Sequence, residues 1–244
     1  MTVLDPPKYG PRYVEALAWA AELHRDQGRK SAPGEPATIP YLAHLLEVSS
    51  LVWLGGGDED QAIAGLLHDA VEDTDAEARH VAGRFGERVA DLVVACSEAS
   101  PSGVRDGSTW LDRKLDYLIA LYLGEHADAL LVTAADKVSN ARAIVDDLLA
   151  TAGDGAAADA FWSRFNAPRD AIAWYYVEVH DAIATCQPGN ALLGRLTPLV
   201  AQIVKAAGAV GPLGCVDDDP AARGRAVVGL ELLARAKRVA GAAS

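Results

Sequence analysis

The sequence is short of cysteine and of positive charge. Its 244 residues include three cysteines, which show no metal-ligand spacing and whose odd number argues against a secreted disulfide framework. The 22 basic residues against 34 acidic ones give a net charge of −12, which opposes binding of a polyanion over most of the surface. The composition therefore predicts a protein of the reducing cytoplasm that does not bind nucleic acid.

Long apolar runs are also missing. No segment approaches the roughly 18 uninterrupted apolar residues of a membrane span, and residues 1–11 lack the basic stretch and apolar run that direct export. The sequence thus predicts neither export nor insertion into a membrane. Half of the residues are nevertheless apolar, which is enough for a substantial core.

Alternating β-branched runs bounded by turns are nearly absent, whereas helix-forming residues abound, so the pattern predicts an all-α fold. Apolar residues at helical spacing predict helices over residues 12–25 and from Tyr41 to about residue 55. Asp58 and Gln61 form a capping signature for a third helix, which is predicted to run on through residue 73. Thr74 and Glu77 repeat that signature and predict a helix to about residue 84.

The C-terminal part is rich in alanine. One long helix is predicted over residues 158–185, and Pro188-Gly189-Asn190 marks a boundary that divides the chain into domains 1–186 and 187–244. Helical patches at 196–207 and 226–240 lie beyond it. They predict a helical appendage that serves packing or homo-oligomer formation.

Four residues from three separate segments form a candidate site for a hard metal ion: His44, His68, Asp69 and Asp136. Two imidazoles and two carboxylates suit Mn²⁺ or Fe²⁺, and the ligand types also allow Zn²⁺ or Mg²⁺. A lone histidine or aspartate is more often an ordinary core or surface residue. Their joint occurrence favours the metal interpretation.

Glu72 and Asp73 follow the His-Asp pair by one helical turn. On one continuous helix, His68 would lie above Glu72 and Asp69 above Asp73, so a single segment would carry both ligands and proton carriers. Burying these groups among leucine, alanine and valine without partners would be costly, and a cation removes that cost. Because a divalent ion acidifies bound water and neutralises phosphate oxygens, the pattern predicts hydrolysis of a phosphate ester or anhydride.

The chain resembles the HD-domain phosphohydrolases, and specifically the small alarmone hydrolases and the hydrolase half of RelA/SpoT proteins. The resemblance runs from about residue 13 to residue 183. It is carried by these motifs: Gly28-Arg29-Lys30, Tyr41-x-x-His44, His68-Asp69-x-x-Glu72-Asp73-Thr74, Phe85-Gly86 and Ala135-Asp136-Lys137-x-x-Asn140. It implies an HD-domain helical bundle.

The resemblance also implies roles for individual residues. The four candidate ligands would hold Mn²⁺, and Glu72 and Asp73 would be the catalytic pair that handles the attacking water and the leaving group. Four further residues would bind a small phosphorylated nucleotide: Arg29, Lys30, Lys137 and Asn140. The implied reaction removes the 3′-pyrophosphate of guanosine tetra- or pentaphosphate and leaves GDP or GTP.

Two alternatives stay open. Residues 96–100 read Cys-Ser-Glu-Ala-Ser where the family often has Thr-Lys or Thr-Asp, which allows another phosphorylated nucleotide or a dinucleotide cofactor as substrate. A non-catalytic nucleotide sensor is the second alternative, although binding alone would not require both Glu72 and Asp73. Alarmone synthesis is not expected, since the residues after 185 are too few and too helical for a synthetase domain.

Overall fold

The computed structural model describes residues 9–30, 37–97, 109–151, 153–208, 211 and 220–243. Within these ranges the regular structure is helical and no strand occurs; an isolated antiparallel bridge joins Gly28 and Pro40. The predicted all-α class is therefore confirmed.

The helices of the described residues are α1 Pro11–Leu23, α2 Leu42–Leu54, α3 Glu59–Leu67, α4 Ala70–Asp73, α5 Ala78–Phe85, α6 Glu87–Cys96, α7 Trp110–Tyr122, α8 Leu130–Ala150, α9 Gly155–Trp162, α10 Arg169–Cys186, α11 Leu193–Ala207 and α12 Pro220–Ala243. A short 3-10 helix, Ala127–Ala129, precedes α8. No single helix in these ranges is both long and apolar enough to cross a membrane; Trp110–Tyr122 and Ala127–Ala150 meet that test only as a pair bent by 103°.

Helices α2, α3 and α8 form the centre of the bundle. Helix α2 packs against both α3 and α8, while α3 also contacts α1 and α6. The first half of α8 is buried almost continuously, because neighbours cover it on several sides. Helix α8 therefore presents its polar residues to the inside of the protein, where a buried site can form.

Gly65 allows the close approach of α2 and α3. A Cβ atom added there would lie 3.1 Å from the Cα and 3.2 Å from the backbone nitrogen of Ser49. Because those atoms belong to the α2 backbone, they cannot move aside as a flexible side chain would. The glycine thus brings the C-terminal end of α3 near α2.

The structure corrects the prediction of one helix from Asp58 to Asp73. Asp58 and Gln61 do form the predicted capping box, but α3 ends at Leu67 and α4 begins at Ala70. His68 and Asp69 lie in the turn between them. The two polar rows expected on a continuous helix are therefore absent, and the turn sets the direction of the His-Asp pair.

Two further helix predictions were wrong in detail. Glu77, with His80, caps α5, while the Thr74 hydroxyl caps the end of α4 by donating to the carbonyl of Ala70. The long helix predicted over 158–185 is two helices, α9 and α10, and Pro168 is the N-cap of α10. A proline restricts the residue before it to extended backbone, which favours a break at this point.

The two predicted C-terminal patches are helices α11 and α12. Helix α11 packs against α8 and α10, and α12 lies along α7. Buried contacts of Leu196 and Ile203 on α11 join the same apolar cluster as the central helices. The division of the chain at residue 187 and the role of these helices stay predictions.

Candidate metal centre

The four predicted ligands come from three places in the fold. His44 lies on α2, His68 and Asp69 lie in the turn after α3, and Asp136 lies on α8. His44 Nε2 is 3.3 Å from Asp136 Oδ1 and 3.8 Å from Asp69 Oδ2. His68 Nε2 is 3.0 Å from Asp69 Oδ2 and 3.6 Å from Asp136 Oδ1. The structure thus brings His44, His68 and Asp136 together as one set, and places Asp69 beside the two imidazoles.

The environment of each imidazole fixes which nitrogen faces the carboxylates. His68 Nδ1 lies 3.0 Å from the carbonyl oxygen of Gly65. A carbonyl only accepts hydrogen bonds, so Nδ1 carries a hydrogen and Nε2 is the nitrogen on the carboxylate side. His44 Nδ1 likewise has a partner, Ser139 Oγ at 2.8 Å.

The donor set fits a cation. Both Nε2 atoms are buried and have no hydrogen-bond partner of good geometry among the described residues. The carboxylate oxygens of Asp69 and Asp136 lie 3.0–3.8 Å from them. One ligand atom from each of His44, His68 and Asp136 falls within 4.8 Å of the other two. An unsatisfied buried nitrogen is costly, and a cation bound here satisfies both rings at once.

The charges around the site keep the carboxylates ionised. Burial would raise the pKa of Asp69, but the His68 imidazole holds that pKa well below its usual range. Burial opposes ionisation of Asp136 too, yet the Lys137 ammonium and the two imidazoles lower its pKa. Both acids are therefore available as anionic ligands near neutral pH.

The two imidazoles differ in their affinity for a proton. Burial dominates at His44 and lowers its pKa. At His68 burial acts in the same direction, but the carboxylates of Asp69 and Asp136 outweigh it and raise the pKa well above the ordinary value. A proton therefore competes with a cation for His68 Nε2, whereas His44 is neutral without one.

Tyr41 holds one of the carboxylates in place. Its hydroxyl donates a hydrogen bond of 2.5 Å to Asp69 Oδ2. Burial and the charge of Asp69 raise the pKa of this phenol, so it remains a donor. The ring also stacks on His24 and meets His44 edge-on. Tyr41 thus couples the N-terminal helix to the site.

Three of the predicted substrate residues contact Asp136 or each other. Lys137 Nζ lies 2.8 Å from Asp136 Oδ2, between the rings of Tyr117 and Tyr175. Asn140 donates to Asp136 Oδ1 at 2.5 Å and accepts a hydrogen bond of 3.0 Å from Arg29. Arg29, Lys137 and Asn140 are therefore joined to the ligand cluster, and Lys30 lies exposed beside Arg29.

The predicted catalytic pair lies on the short helix α4. Asp73 is exposed, and its Oδ2 accepts a hydrogen bond of 2.7 Å from Gln27 Nε2. The Gln27 amide oxygen in turn lies 2.6 Å from Nδ1 of the buried His24. Glu72 is half-buried. Asp73 is thus linked to the cluster through Gln27, His24 and Tyr41, and Glu72 precedes it on α4.

Four supporting residues, of which Tyr41 appeared only within a family motif, were assigned no role from the sequence: Gln27, Tyr41, Glu47 and Ser139. A spacing signal existed for two of them. Glu47 follows His44 by three residues, and Ser139 follows Asp136 by three, so each shares a helix face with a candidate ligand. Nothing in the local pattern indicated that Glu47 and Ser139 would meet, since they lie 92 positions apart.

The matches to known families and proteins cover the part of the chain that holds this site. A family model described as HD domain matches residues 16–158. A probable guanosine-3′,5′-bis(diphosphate) 3′-pyrophosphohydrolase of Synechocystis is 34% identical over 53% of this chain and 16% of its own length. A guanosine-3′,5′-bis(diphosphate) 3′-pyrophosphohydrolase of Drosophila melanogaster is 40% identical over 34% of this chain and 45% of its own length. The chain thus spans less than half the length of these relatives.

Solved structures match more of the fold. A metazoan ortholog of SpoT that hydrolyses ppGpp superimposes with a TM-score of 0.57 at 27% identity, covering 82% of this chain and 98% of that protein. A crystal structure from Listeria monocytogenes gives a TM-score of 0.54 at 27% identity, covering 66% and 99% of the respective chains.

Proposed function

The chain belongs to the HD-domain family, and we propose that it is a metal-dependent hydrolase that removes the 3′-pyrophosphate from guanosine tetra- or pentaphosphate. The products are GDP or GTP and pyrophosphate. One observation supports this most directly: two buried imidazoles direct unsatisfied Nε2 atoms at two ionised carboxylates. The choice of substrate rests on the relatives that are named as hydrolases of this nucleotide.

His44, His68, Asp69 and Asp136 would hold the cation, for which we propose Mn²⁺. Two nitrogen and two oxygen donors suit this ion, although the same set also accepts other divalent metals. When bound, the ion supplies Lewis acidity toward water and toward the phosphate oxygens. The ionised state of Asp69 and Asp136 supports this assignment.

Glu72 and Asp73 are proposed to move the protons of the reaction. Hydrolysis forms a bond from water oxygen to phosphorus and breaks the bond to the ribose 3′ oxygen, so one proton must leave the water and one must reach that oxygen. Carboxylates that reach solvent, as on α4, are suited to this exchange. The hydrogen bond from Gln27 orients Asp73 for its part.

Arg29, Lys30, Lys137 and Asn140 are proposed to bind the nucleotide. The Arg29 guanidinium lies 5.9 Å from the centre of the Tyr41 ring and retains N–H groups for a phosphate or a base. Lys137 places an ammonium next to Asp136, where it can also neutralise a phosphate oxygen. These cations form a local anion-binding site on a chain that is strongly acidic as a whole.

Incubation of the purified protein with Mn²⁺ and guanosine tetraphosphate tests the proposal. We expect stoichiometric release of pyrophosphate and GDP, and its loss on chelation of the metal. Glu72→Ala and Asp73→Ala should abolish turnover, while Glu125→Ala, an exposed acid after α7, serves as the matched control. Absence of pyrophosphate at micromolar enzyme would refute the proposal.

A second substrate class is favoured by the residues next to His68. The Ser97 hydroxyl lies 3.4 Å from the carbonyl oxygen of His68, and Cys96 Sγ lies 3.9 Å from Thr133 Oγ1. This segment, whose residues 98–100 are outside the described part, replaces the usual family element beside the site. Another phosphorylated nucleotide or a dinucleotide cofactor is therefore the alternative, and a nucleotide panel with phosphate readout decides between them. Tight binding of guanosine tetraphosphate without turnover would instead indicate a sensor.

We also propose a cytoplasmic setting and no nucleic-acid partner. Cys96 and Cys186 are free thiols, as expected in a reducing compartment. The net charge of −12 opposes binding to a polyanion. Homo-oligomer formation through the C-terminal helices stays a prediction, which sedimentation of the purified chain would test.

A further inference from the structure

Three polar residues, linked to one another in series, lie on the side of His44 opposite its Nε2 atom. Ser139 on α8 contacts His44 Nδ1 at 2.8 Å, and its hydroxyl contacts Glu47 Oε2 at 2.6 Å. Glu47, on α2, forms an ion pair with Arg142 on α8. His44 and Ser139 are 3% and 2% exposed, so water cannot readily replace these contacts.

The Glu47 carboxylate determines the direction of both hydrogen bonds that link it, through Ser139, to His44. The Glu47 carboxylate can only accept, so the single hydroxyl hydrogen of Ser139 points toward Glu47. Ser139 Oγ must then accept from His44 Nδ1, which therefore carries a hydrogen. A neutral imidazole with its hydrogen on Nδ1 has its lone pair on Nε2, the atom that faces Asp136.

We propose that Ser139 and Glu47 are positioning residues that fix the tautomer and ring orientation of His44 for a divalent cation. The inference rests on the metal centre of the proposed function. Residues that hold the second nitrogen of a histidine ligand commonly influence metal affinity by about 10- to 100-fold. Arg142 completes the arrangement by keeping the Glu47 carboxylate in place.

A comparison with His68 shows why a side-chain substitution can test the role of Ser139 and Glu47. Its Nδ1 donates to a backbone carbonyl, that of Gly65, which no substitution of a side chain removes. His44 depends instead on side chains alone. Removing the Ser139 hydroxyl therefore frees the His44 ring to rotate or to move its hydrogen to Nε2, where it would block the cation.

The test is titration of the metal-free full chain with Mn²⁺ by calorimetry. Ser139→Ala is expected to weaken Mn²⁺ binding by about 10- to 100-fold. The matched control is Ser49→Ala, because Ser49 is also a fully buried serine with two hydrogen bonds, to Ala62 and Tyr13, and lies on α2 away from the ligands. Its Mn²⁺ affinity should stay at the unchanged protein's value.

Glu47→Gln gives an independent measurement, because Glu47 is partly exposed and its replacement leaves the core intact. An amide accepts a hydrogen bond more weakly than a carboxylate, so binding should weaken by roughly fivefold. Thermal unfolding of each metal-free variant shows whether the fold is retained. If Ser139→Ala does not fold, Glu47→Gln decides.

The outcomes separate this inference from the proposed function. A folded Ser139→Ala protein, or a folded Glu47→Gln protein, that binds Mn²⁺ as tightly as the unchanged chain overturns the positioning role alone. Absence of Mn²⁺ binding by the unchanged chain overturns the metal centre and the inference together. Weakened binding in both variants, with Ser49→Ala unaffected, supports the inference whatever nucleotide the protein hydrolyses.

Discussion

The site has two regions that differ in how firmly the fold holds them. The ligand cluster is His44, His68, Asp69 and Asp136; the rim is Gln27, Arg29, Glu72 and Asp73. The two imidazoles and Asp136 are at most 8% exposed, and each cluster residue contacts several partners. In the rim, Asp73 is exposed and held chiefly by the hydrogen bond from Gln27.

This difference assigns separate tasks to the two regions. A metal centre needs fixed donors, and buried groups with satisfied partners provide them. Proton transfer and nucleotide entry need contact with solvent, which the rim provides. Substitutions in the cluster should therefore change metal content and stability, whereas substitutions in the rim should change turnover alone.

The largest effect is expected from Asp136→Ala. The substitution removes a proposed ligand and leaves the buried Lys137 ammonium without its carboxylate at 2.8 Å. We expect loss of bound Mn²⁺ and a decrease of about 3–5 kcal/mol in the free energy of unfolding of the metal-free protein. Denaturant titration and elemental analysis measure both quantities.

Asp128→Ala is the control for that experiment, since Asp128 pairs with Arg88 on the surface. An exposed pair contributes about 0–1 kcal/mol, and metal content should not change. An Asp136→Ala protein with full metal content would show that the cluster does not bind the ion.

Rim substitutions should separate turnover from metal content. Asp73→Asn and Glu72→Gln keep the side-chain shape but remove the carboxylate proposed to exchange protons, so turnover should fall by about 10²- to 10⁴-fold. Bound Mn²⁺ and the melting temperature should remain near those of the unchanged protein. Steady-state kinetics and elemental analysis measure turnover and bound metal. Equal losses of metal and activity would show that the rim and the ligand cluster do not have separate roles.

Metal binding should depend on pH through His68. Because its pKa is raised in the metal-free protein, its ring holds a proton that a cation must displace at neutral pH. Affinity for Mn²⁺ should therefore rise with pH by up to about tenfold per unit, and level off above the raised pKa of His68. His44, whose pKa is lowered, adds no proton at neutral pH.

Calorimetry in buffers of different ionisation enthalpy counts the released protons. About one proton per ion at neutral pH is expected from the His68 ring. Binding without proton release would contradict the assignment of His68 Nε2 as a ligand atom.

The smallest effect is expected from Gln27→Leu. This change removes the hydrogen bond to Asp73 and the contact with His24 Nδ1, while leaving the acid itself in place. A net hydrogen bond of about 1 kcal/mol corresponds to roughly fivefold in turnover. A decrease in kcat with constant Mn²⁺ affinity would support orientation of Asp73 by Gln27. An unchanged kcat would show that Gln27 has no part in turnover.

The sequence predicted the helical class, and the proximity of His44, His68 and Asp136, more accurately than it predicted helix ends. Capping by Asp58 and Gln61 is a local interaction, and that prediction was confirmed. The break at His68 and Asp69 was missed, because Leu67, Ala70 and the residues around them suit a continuous helix. There the hydrogen bond from His68 to Gly65 and the packing of the turn override local preference.

Contacts between distant segments were also beyond local patterns. Glu47 and Ser139 belong to different helices, and their meeting depends on how α2 packs against α8. Pro168 was a visible signal for the end of a helix, yet the apolar spacing on either side suggested continuity. Spacing thus predicts which residues share a face, while tertiary packing decides which faces meet.

An anomalous diffraction experiment at the manganese edge, on crystals of the protein grown with Mn²⁺, tests the central claim most directly. We predict one peak within bonding distance of Nε2 of His44 and His68 and of a carboxylate oxygen of Asp69 and Asp136. A peak that lies elsewhere, or contacts fewer than three of these side chains, would contradict the account.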